Sequence, residues 1–136
     1  MDKRSFRILI FAAYLFVLFR ITVFRDGWAA NGLFSGTVVW APFQTIFSYL
    51  TNGQVGYFVY LFVGNLIWFV PFGMYLRLRR LTIRKTILLT AALSALIELL
   101  QFVLGTGCTE LEDVLLNTAG GAIGCACAAL YRKLKS

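Results

Sequence analysis

Six polar residues of this sequence stand inside stretches that are otherwise apolar, and their types could support binding or acid-base chemistry. They are Arg20, Asn65, Glu98, Gln101, Asp113 and Asn117. Glu98 and Gln101 are three residues apart, so on a helix they share one face. Asp113 and Asn117 are four apart and do the same. We therefore expect one polar cluster, in which Arg20 is neutralised by Glu98, Asp113 or both and the amide side chains complete the hydrogen bonds.

This predicted cluster has several functional interpretations. It could bind a lipid-like ligand, or it could act as an enzyme with Glu98 and Asp113 as general base and acid and Arg20 holding a phosphate. It could also couple proton binding at Glu98 to transport. A purely structural role is the remaining alternative, since polar contacts between membrane helices are often worth only about 0.6 kcal/mol. We favour ligand binding, because the sequence shows no nucleophile, no set of metal ligands and no phosphate-cradling loop.

The residue types that the chain lacks narrow the chemistry further. The sequence has no His and three Cys, which excludes His-based zinc sites and catalytic triads. Cys125 and Cys127 are two residues apart and point to different faces of a helix. Cys108 lies in a predicted loop without an obvious partner. We therefore expect neither a metal ion nor another cofactor.

Apolar segments must position the polar cluster. Of the 136 residues, 60% are hydrophobic and 14% are charged, whereas a soluble domain carries about 25% charged residues. Each of four apolar stretches is near the roughly 20 residues that a helix needs to cross a bilayer. They cover residues 6–24, 56–76, 86–104 and 114–131. The sequence therefore predicts an all-α, polytopic membrane protein, a bundle of four transmembrane helices formed by a single domain over residues 1–136.

The distribution of basic residues indicates how these helices are oriented. Eleven of the 13 Lys and Arg residues fall at the amino end, in the link 77–85 and in the carboxyl-terminal tail. Because cytoplasmic loops carry an excess of Lys and Arg, we expect both termini in the cytoplasm. The other two links should lie outside, namely 25–55 and the link before the fourth helix that carries Glu110 and Glu112. The net charge of +7 then results from the basic residues of the cytoplasmic segments. We expect membrane lipids as partners, and no nucleic acid.

The predicted outer link, residues 25–55, has the composition of a segment that lies in the membrane interface. Trp28 and Trp40 suit the headgroup level of a bilayer. Pro42 can open a short amphipathic helix at its first position, whose apolar face would consist of Phe43, Ile46, Phe47 and Leu50. We expect this segment to anchor the protein at the interface. A lid over a lipid-facing pocket is the alternative.

Two further motifs concern helix packing. Gly120 and Gly124 form a small-xxx-small pattern in the fourth membrane helix, which lets another helix approach closely. Packing within the bundle is the expected use, and a homodimer through this face is the alternative. Pro71, Phe72 and Gly73 lie in the second membrane helix, where the proline removes a backbone donor. We expect a kink there.

In order and spacing, these motifs resemble the VanZ-like family of bacterial membrane proteins. The resemblance rests on Arg20, Ala41-Pro42-Phe43-Gln44-Thr45-Ile46, Asn65-x5-Pro71-Phe72-Gly73, Glu98-x2-Gln101 and Asp113-Val114-x2-Asn117-x2-Gly120-x3-Gly124. It runs through nearly the whole chain, from the first membrane helix to the fourth.

The resemblance implies a multi-pass protein of the bacterial plasma membrane. Members of the family are linked to reduced susceptibility to glycopeptide and lipoglycopeptide antibiotics such as teicoplanin. We accordingly predict a membrane factor without enzymatic activity whose polar cluster binds a lipid-like ligand at the outer leaflet, either a lipid-linked cell-wall precursor or a lipoglycopeptide. A membrane-interface enzyme and a small proton-coupled transporter are the alternatives.

Overall fold

Five α-helices and two short strands make up the computed structural model, which describes residues 2–24 and 32–135. The elements are α1 (Lys3–Thr22), β1 (Thr37–Val39), α2 (Gln44–Thr51), α3 (Val55–Leu78), α4 (Ile83–Leu104), β2 (Cys108–Glu110) and α5 (Leu111–Lys135). Within this part of the chain, α1, α3, α4 and α5 are long and apolar enough to cross a membrane. The all-α fold with four membrane helices is confirmed, and every end lies within four residues of its predicted position.

Each membrane helix begins one to three residues before its predicted apolar stretch, and in α1 and α5 acidic residues stabilise the first turn. At the start of α1, the Asp2 carboxylate accepts a hydrogen bond from the Ser5 amide at 2.7 Å, which caps the helix. The same interaction lowers the pKa of Asp2. At α5, Glu112 and Asp113 occupy the first turn, where acidic residues favour a helix start.

The two strands pair with each other and were not predicted. Strands of three residues are too short to show the alternating pattern that marks a strand in sequence. The Thr37 hydroxyl and the Cys108 thiol lie 2.8 Å apart across this pair. Cys108 forms no disulfide with the described cysteines, and its thiol is in hydrogen-bond contact with Thr37.

The chain divides into two compact units, the first of which consists of Met1–Val38 and Ile97–Thr109. In this unit, the segment before β1 runs along the end of α4. The Phe34 amide donates to the Val103 carbonyl at 2.9 Å. A Cβ on Gly36 would lie 2.5 Å from the Cα of Phe102, so this close approach requires a glycine.

The second unit, Val39–Leu96 and Glu110–Ser136, is organised around the pairing of α3 with α5. A Cβ on Gly120 would collide with the carbonyl oxygen of Leu66, and one on Gly124 with that of Val70. The small-xxx-small face is therefore covered by α3, which is the expected packing within the chain. The homodimer through the fourth membrane helix stays a prediction that would need another face.

Helix α3 passes through Pro71 without ending, while Phe72 and Gly73 are buried. A Cβ on Gly73 would collide with the backbone of Gly121. The Pro71-Phe72-Gly73 segment thus forms part of the contact between α3 and α5. The predicted kink stays a prediction.

The short helix α2 begins two residues later than expected. Its first residue is Gln44, and Phe43, at the N-cap, has a positive φ of 63°, so Pro42 lies in the turn before the helix. Ile46 is buried, whereas Phe47 is exposed. Only part of the predicted apolar face is therefore covered by the chain itself.

Trp40 is 80% exposed, which suits contact with a membrane interface. Trp28, the other predicted interface anchor, lies outside the described residues.

Candidate functional site

Helices α3 and α5 bring together Asn65 and Asp113, two of the six predicted residues. The Asn65 side-chain amide donates to a carboxylate oxygen of Asp113 at 2.5 Å, in a partly buried position. The two residues are 48 positions apart in sequence. Farther along, Gly120 of α5 lies against Leu66 of α3, and Gly124 lies against Val70. Residue numbers therefore increase in the same direction along both helices, so α3 and α5 run parallel.

Asn117, one turn beyond Asp113, bonds to a residue that the sequence analysis missed. Its side-chain amide donates to the Ser94 hydroxyl at 2.8 Å, and Asn117 is only 4% exposed. Thr86, Thr90 and Ser94 are all fully buried. Their four-residue spacing on α4 places them on one face, and this polar stripe in an apolar helix is the signal that could have identified Ser94.

A compact group of acidic residues lies at the start of α5. One carboxylate oxygen from each of Glu110, Glu112 and Asp113 lies within 4.8 Å of the others. Glu110 also accepts a hydrogen bond at 3.1 Å from the hydroxyl of Thr45, in the first turn of α2. We call these three carboxylates the acidic cluster. Sequence reasoning treated Glu110 and Glu112 only as charges of an outer link, although half of the six acidic residues of the chain fall within four positions.

The three carboxylates of the acidic cluster lie close enough to repel one another when ionised. Two like charges at about 4.8 Å repel each other by roughly 3.5 kcal/mol at an effective dielectric constant of about 20. Glu112 is 1% exposed, and neither of its carboxylate oxygens has a hydrogen-bond partner among the described residues. A buried carboxylate without partners is costly. A positively charged or proton-donating ligand would therefore stabilise the acidic cluster.

The first unit holds the other three predicted residues, Arg20, Glu98 and Gln101. The Gln101 amide donates to the Thr22 carbonyl at 3.2 Å. Its side-chain oxygen has no partner among the described residues. Glu98 is 4% exposed, and its backbone carbonyl accepts from the Thr109 hydroxyl at 2.9 Å. Glu98 is thus a buried carboxylate within a helix that is long and apolar enough to cross a membrane.

The predicted neutralisation of Arg20 by Glu98, Asp113 or both stays a prediction, and the described contact of Arg20 is with a backbone carbonyl. Arg20 is exposed, and its guanidinium donates to the carbonyl of Phe24 at 2.5 Å. The cause is its position in the last turn of α1, where basic side chains bond to the terminal carbonyls of the helix. Asp113, the other expected partner of Arg20, accepts from Asn65.

Comparison with known proteins gives two positive results. The sequence model of the VanZ/LLP1 family matches residues 11–132. Protein VanZ of Enterococcus faecium is 33% identical over 64 residues, which make up 46% of this chain and 40% of that protein. The chain thus aligns with less than half the length of that relative. No solved structure matches it significantly.

Proposed function

This chain belongs to the VanZ/LLP1 family, and on that premise we propose that it is a plasma-membrane protein that lowers susceptibility to glycopeptide and lipoglycopeptide antibiotics. We propose further that it does so by binding a lipid-like ligand at the polar residues of α3 and α5. The ligand is a lipoglycopeptide or a lipid-linked precursor of the cell wall. Membrane lipids surround the remaining apolar surface of the helices.

The observation that carries the ligand proposal is the hydrogen bond between Thr45 and Glu110. It joins the first turn of α2 to the residue that precedes α5. Phe47 and Leu50, on the same short helix as Thr45, are both exposed. The polar groups of Thr45 and Glu110 therefore adjoin apolar surface. An amphipathic ligand needs both kinds of surface, one for its headgroup and one for its acyl chain.

We propose that both termini lie in the cytoplasm and that α5 begins at the outer side. Charge supports this orientation, since Lys and Arg accumulate in cytoplasmic segments. In the second unit, the Arg132 guanidinium donates to the carbonyl of Arg77, so the basic ends of α3 and α5 adjoin. The parallel direction of α3 and α5 also fits, because a single helix, α4, returns the chain between them.

A reporter fused after Ser136 tests the orientation. We expect activity of a reporter that functions only in the cytoplasm, such as green fluorescent protein, because eleven of the 13 basic residues then face the cytoplasm. A periplasmic alkaline phosphatase fusion at the same place is the matched control and should be inactive. An active phosphatase fusion would overturn the orientation.

Expression in a teicoplanin-susceptible bacterium tests the proposed function. We expect the minimal inhibitory concentration of teicoplanin to rise. Asp113→Asn should abolish the rise, because loss of a charged hydrogen-bond partner costs about 1.5 to 3 kcal/mol, or roughly tenfold or more in ligand affinity. Asp2→Asn is the matched control, since Asn also caps a helix, and it should behave as the wild type.

Two measurements make this result interpretable. Immunoblots of membrane fractions must show equal amounts of the three proteins. A parallel assay with a glycopeptide that lacks an acyl chain should show a smaller rise, if the apolar surface of α2 contributes to binding. Unchanged susceptibility with the wild-type chain, or full activity of Asp113→Asn, would contradict the proposal.

A further inference from the structure

The acidic cluster contains one carboxylate that is buried without hydrogen-bond donors among the described residues. Glu112 is almost fully buried, at 1% exposure, and both of its carboxylate oxygens lack hydrogen-bond partners among the described residues. One of its oxygens lies within 4.8 Å of an oxygen from Glu110 and one from Asp113. A buried carboxylate is normally paired with a cation or a set of donors. Glu112 is therefore directed at a place where a positive charge would be stabilised.

We propose that Glu110, Glu112 and Asp113 together bind one calcium ion. Carboxylate oxygens are the ligands that hard divalent cations prefer. Calcium binds oxygen at about 2.3 to 2.6 Å, so two oxygens on opposite sides of the ion are about 5 Å apart. Three oxygens within 4.8 Å of one another can therefore contact one calcium ion after small side-chain adjustments. Magnesium binds oxygen at about 2.0 to 2.1 Å and therefore requires ligand oxygens that lie closer together.

Residues around the acidic cluster hold two of the three carboxylates in place. Thr45 donates to Glu110, and Asn65 donates to Asp113. Hydrogen bonds of this kind orient metal ligands. Among the described residues the candidate ligands of this cluster are all carboxylates, since the chain has no His and the nearest cysteine in sequence, Cys108, contacts Thr37. This chemistry favours calcium over zinc or copper.

A structural role for Glu112 is the competing explanation. The carboxylate lies near the backbone amide of Ile46, in the first turn of α2, and Phe43 provides no side-chain cap for that helix. Glu112 could therefore stabilise the positive end of α2 without any ion. Against this role, Glu112 forms no hydrogen bond that satisfies normal geometry with the described residues.

Calcium titration of the purified full chain tests the proposal, which goes beyond the proposed function and does not depend on it. The protein is reconstituted in phosphatidylcholine nanodiscs, stripped with EDTA, dialysed and titrated with Ca²⁺ or Mg²⁺ in a calorimeter. We expect one Ca²⁺ per chain and weaker binding of Mg²⁺. Glu112→Gln should lower the affinity for Ca²⁺ by about tenfold or more, since one of three charged ligands is lost. Asp2→Asn should bind as the wild type.

Thermal unfolding gives a second readout that does not depend on antibiotic resistance. Without Ca²⁺, Glu112→Gln should be at least as stable as the wild type, because the substitution removes a buried, repelled charge. Saturating Ca²⁺ should raise the Tm of the wild type and of Asp2→Asn by an amount on the order of 5 °C, and should raise the Tm of Glu112→Gln by less at the same Ca²⁺ concentration.

Three outcomes would overturn the calcium site. The first is absence of saturable Ca²⁺ binding to the wild type. The second is equal binding by Glu112→Gln, or tighter binding of Mg²⁺ than of Ca²⁺. The third is a lowered Tm of Glu112→Gln in EDTA together with a wild-type response to Ca²⁺, which would identify Glu112 as a stabilising residue of α2.

Discussion

Gly124→Ala is expected to lower the free energy of unfolding by about 3 kcal/mol, because the added methyl group overlaps the backbone of α3. Its Cβ would collide with the carbonyl oxygen of Val70 and lie 2.6 Å from the amide nitrogen of Met74. A backbone cannot rotate away as a flexible side chain does, so the two helices must separate. Titration with SDS in mixed micelles, followed by circular dichroism, measures the change.

Gly64→Ala is the matched control, since Gly64 lies in α3 and a Cβ there meets nothing within 4 Å. Alanine favours a helix over glycine by up to about 1 kcal/mol. The two variants should therefore change stability in opposite directions. Equal effects of the two substitutions would show that the glycines of α5 do not determine how closely α3 and α5 approach.

Glu98→Gln is expected to abolish the resistance phenotype while membrane insertion stays normal. Glu98 is 4% exposed within an apolar helix, and an acid at membrane depth costs on the order of 3 kcal/mol on insertion scales. Glutamine keeps the shape of the side chain and removes its charge, so insertion should if anything become easier. The teicoplanin assay and the amount of protein in the membrane fraction measure the two effects.

Asp2→Asn again serves as the control for loss of one negative charge. A wild-type phenotype of Glu98→Gln would assign Glu98 a structural role in the first unit. Sensitivity of the wild-type phenotype to collapse of the proton gradient would instead favour the transport alternative, in which an intramembrane carboxylate binds protons.

Predictions from sequence were accurate for features that depend on residues close together along the chain. Length and hydropathy located α1, α3, α4 and α5 to within four residues, because a bilayer requires a minimum apolar length. The spacing of Gly120 and Gly124 predicted a close helix contact, and α3 provides it. Helix periodicity also placed Asp113 and Asn117 on one face of α5.

Tertiary structure alone decided which polar groups meet. Asn65 bonds to Asp113, 48 residues away. The sequence placed both in one polar cluster, but no local pattern indicates which side chains of that cluster pair. Arg20 illustrates the opposite case, since its charge suggested an acidic partner but its position in the last turn of α1 supplies a backbone carbonyl. The burial of Glu112 depends on how α2 packs near the start of α5.

The sequence by itself thus determined the number of membrane helices, their bounds, the glycine contact surface and the family resemblance, since each depends on residues close together along the chain. The acidic cluster and the Asn65–Asp113 bond depend on the faces that the helices turn toward each other. In apolar helices that choice is set by shape, through the glycines that allow close approach, and not by a polar pattern. Only the folded chain therefore shows that Glu112 is buried beside two other carboxylates.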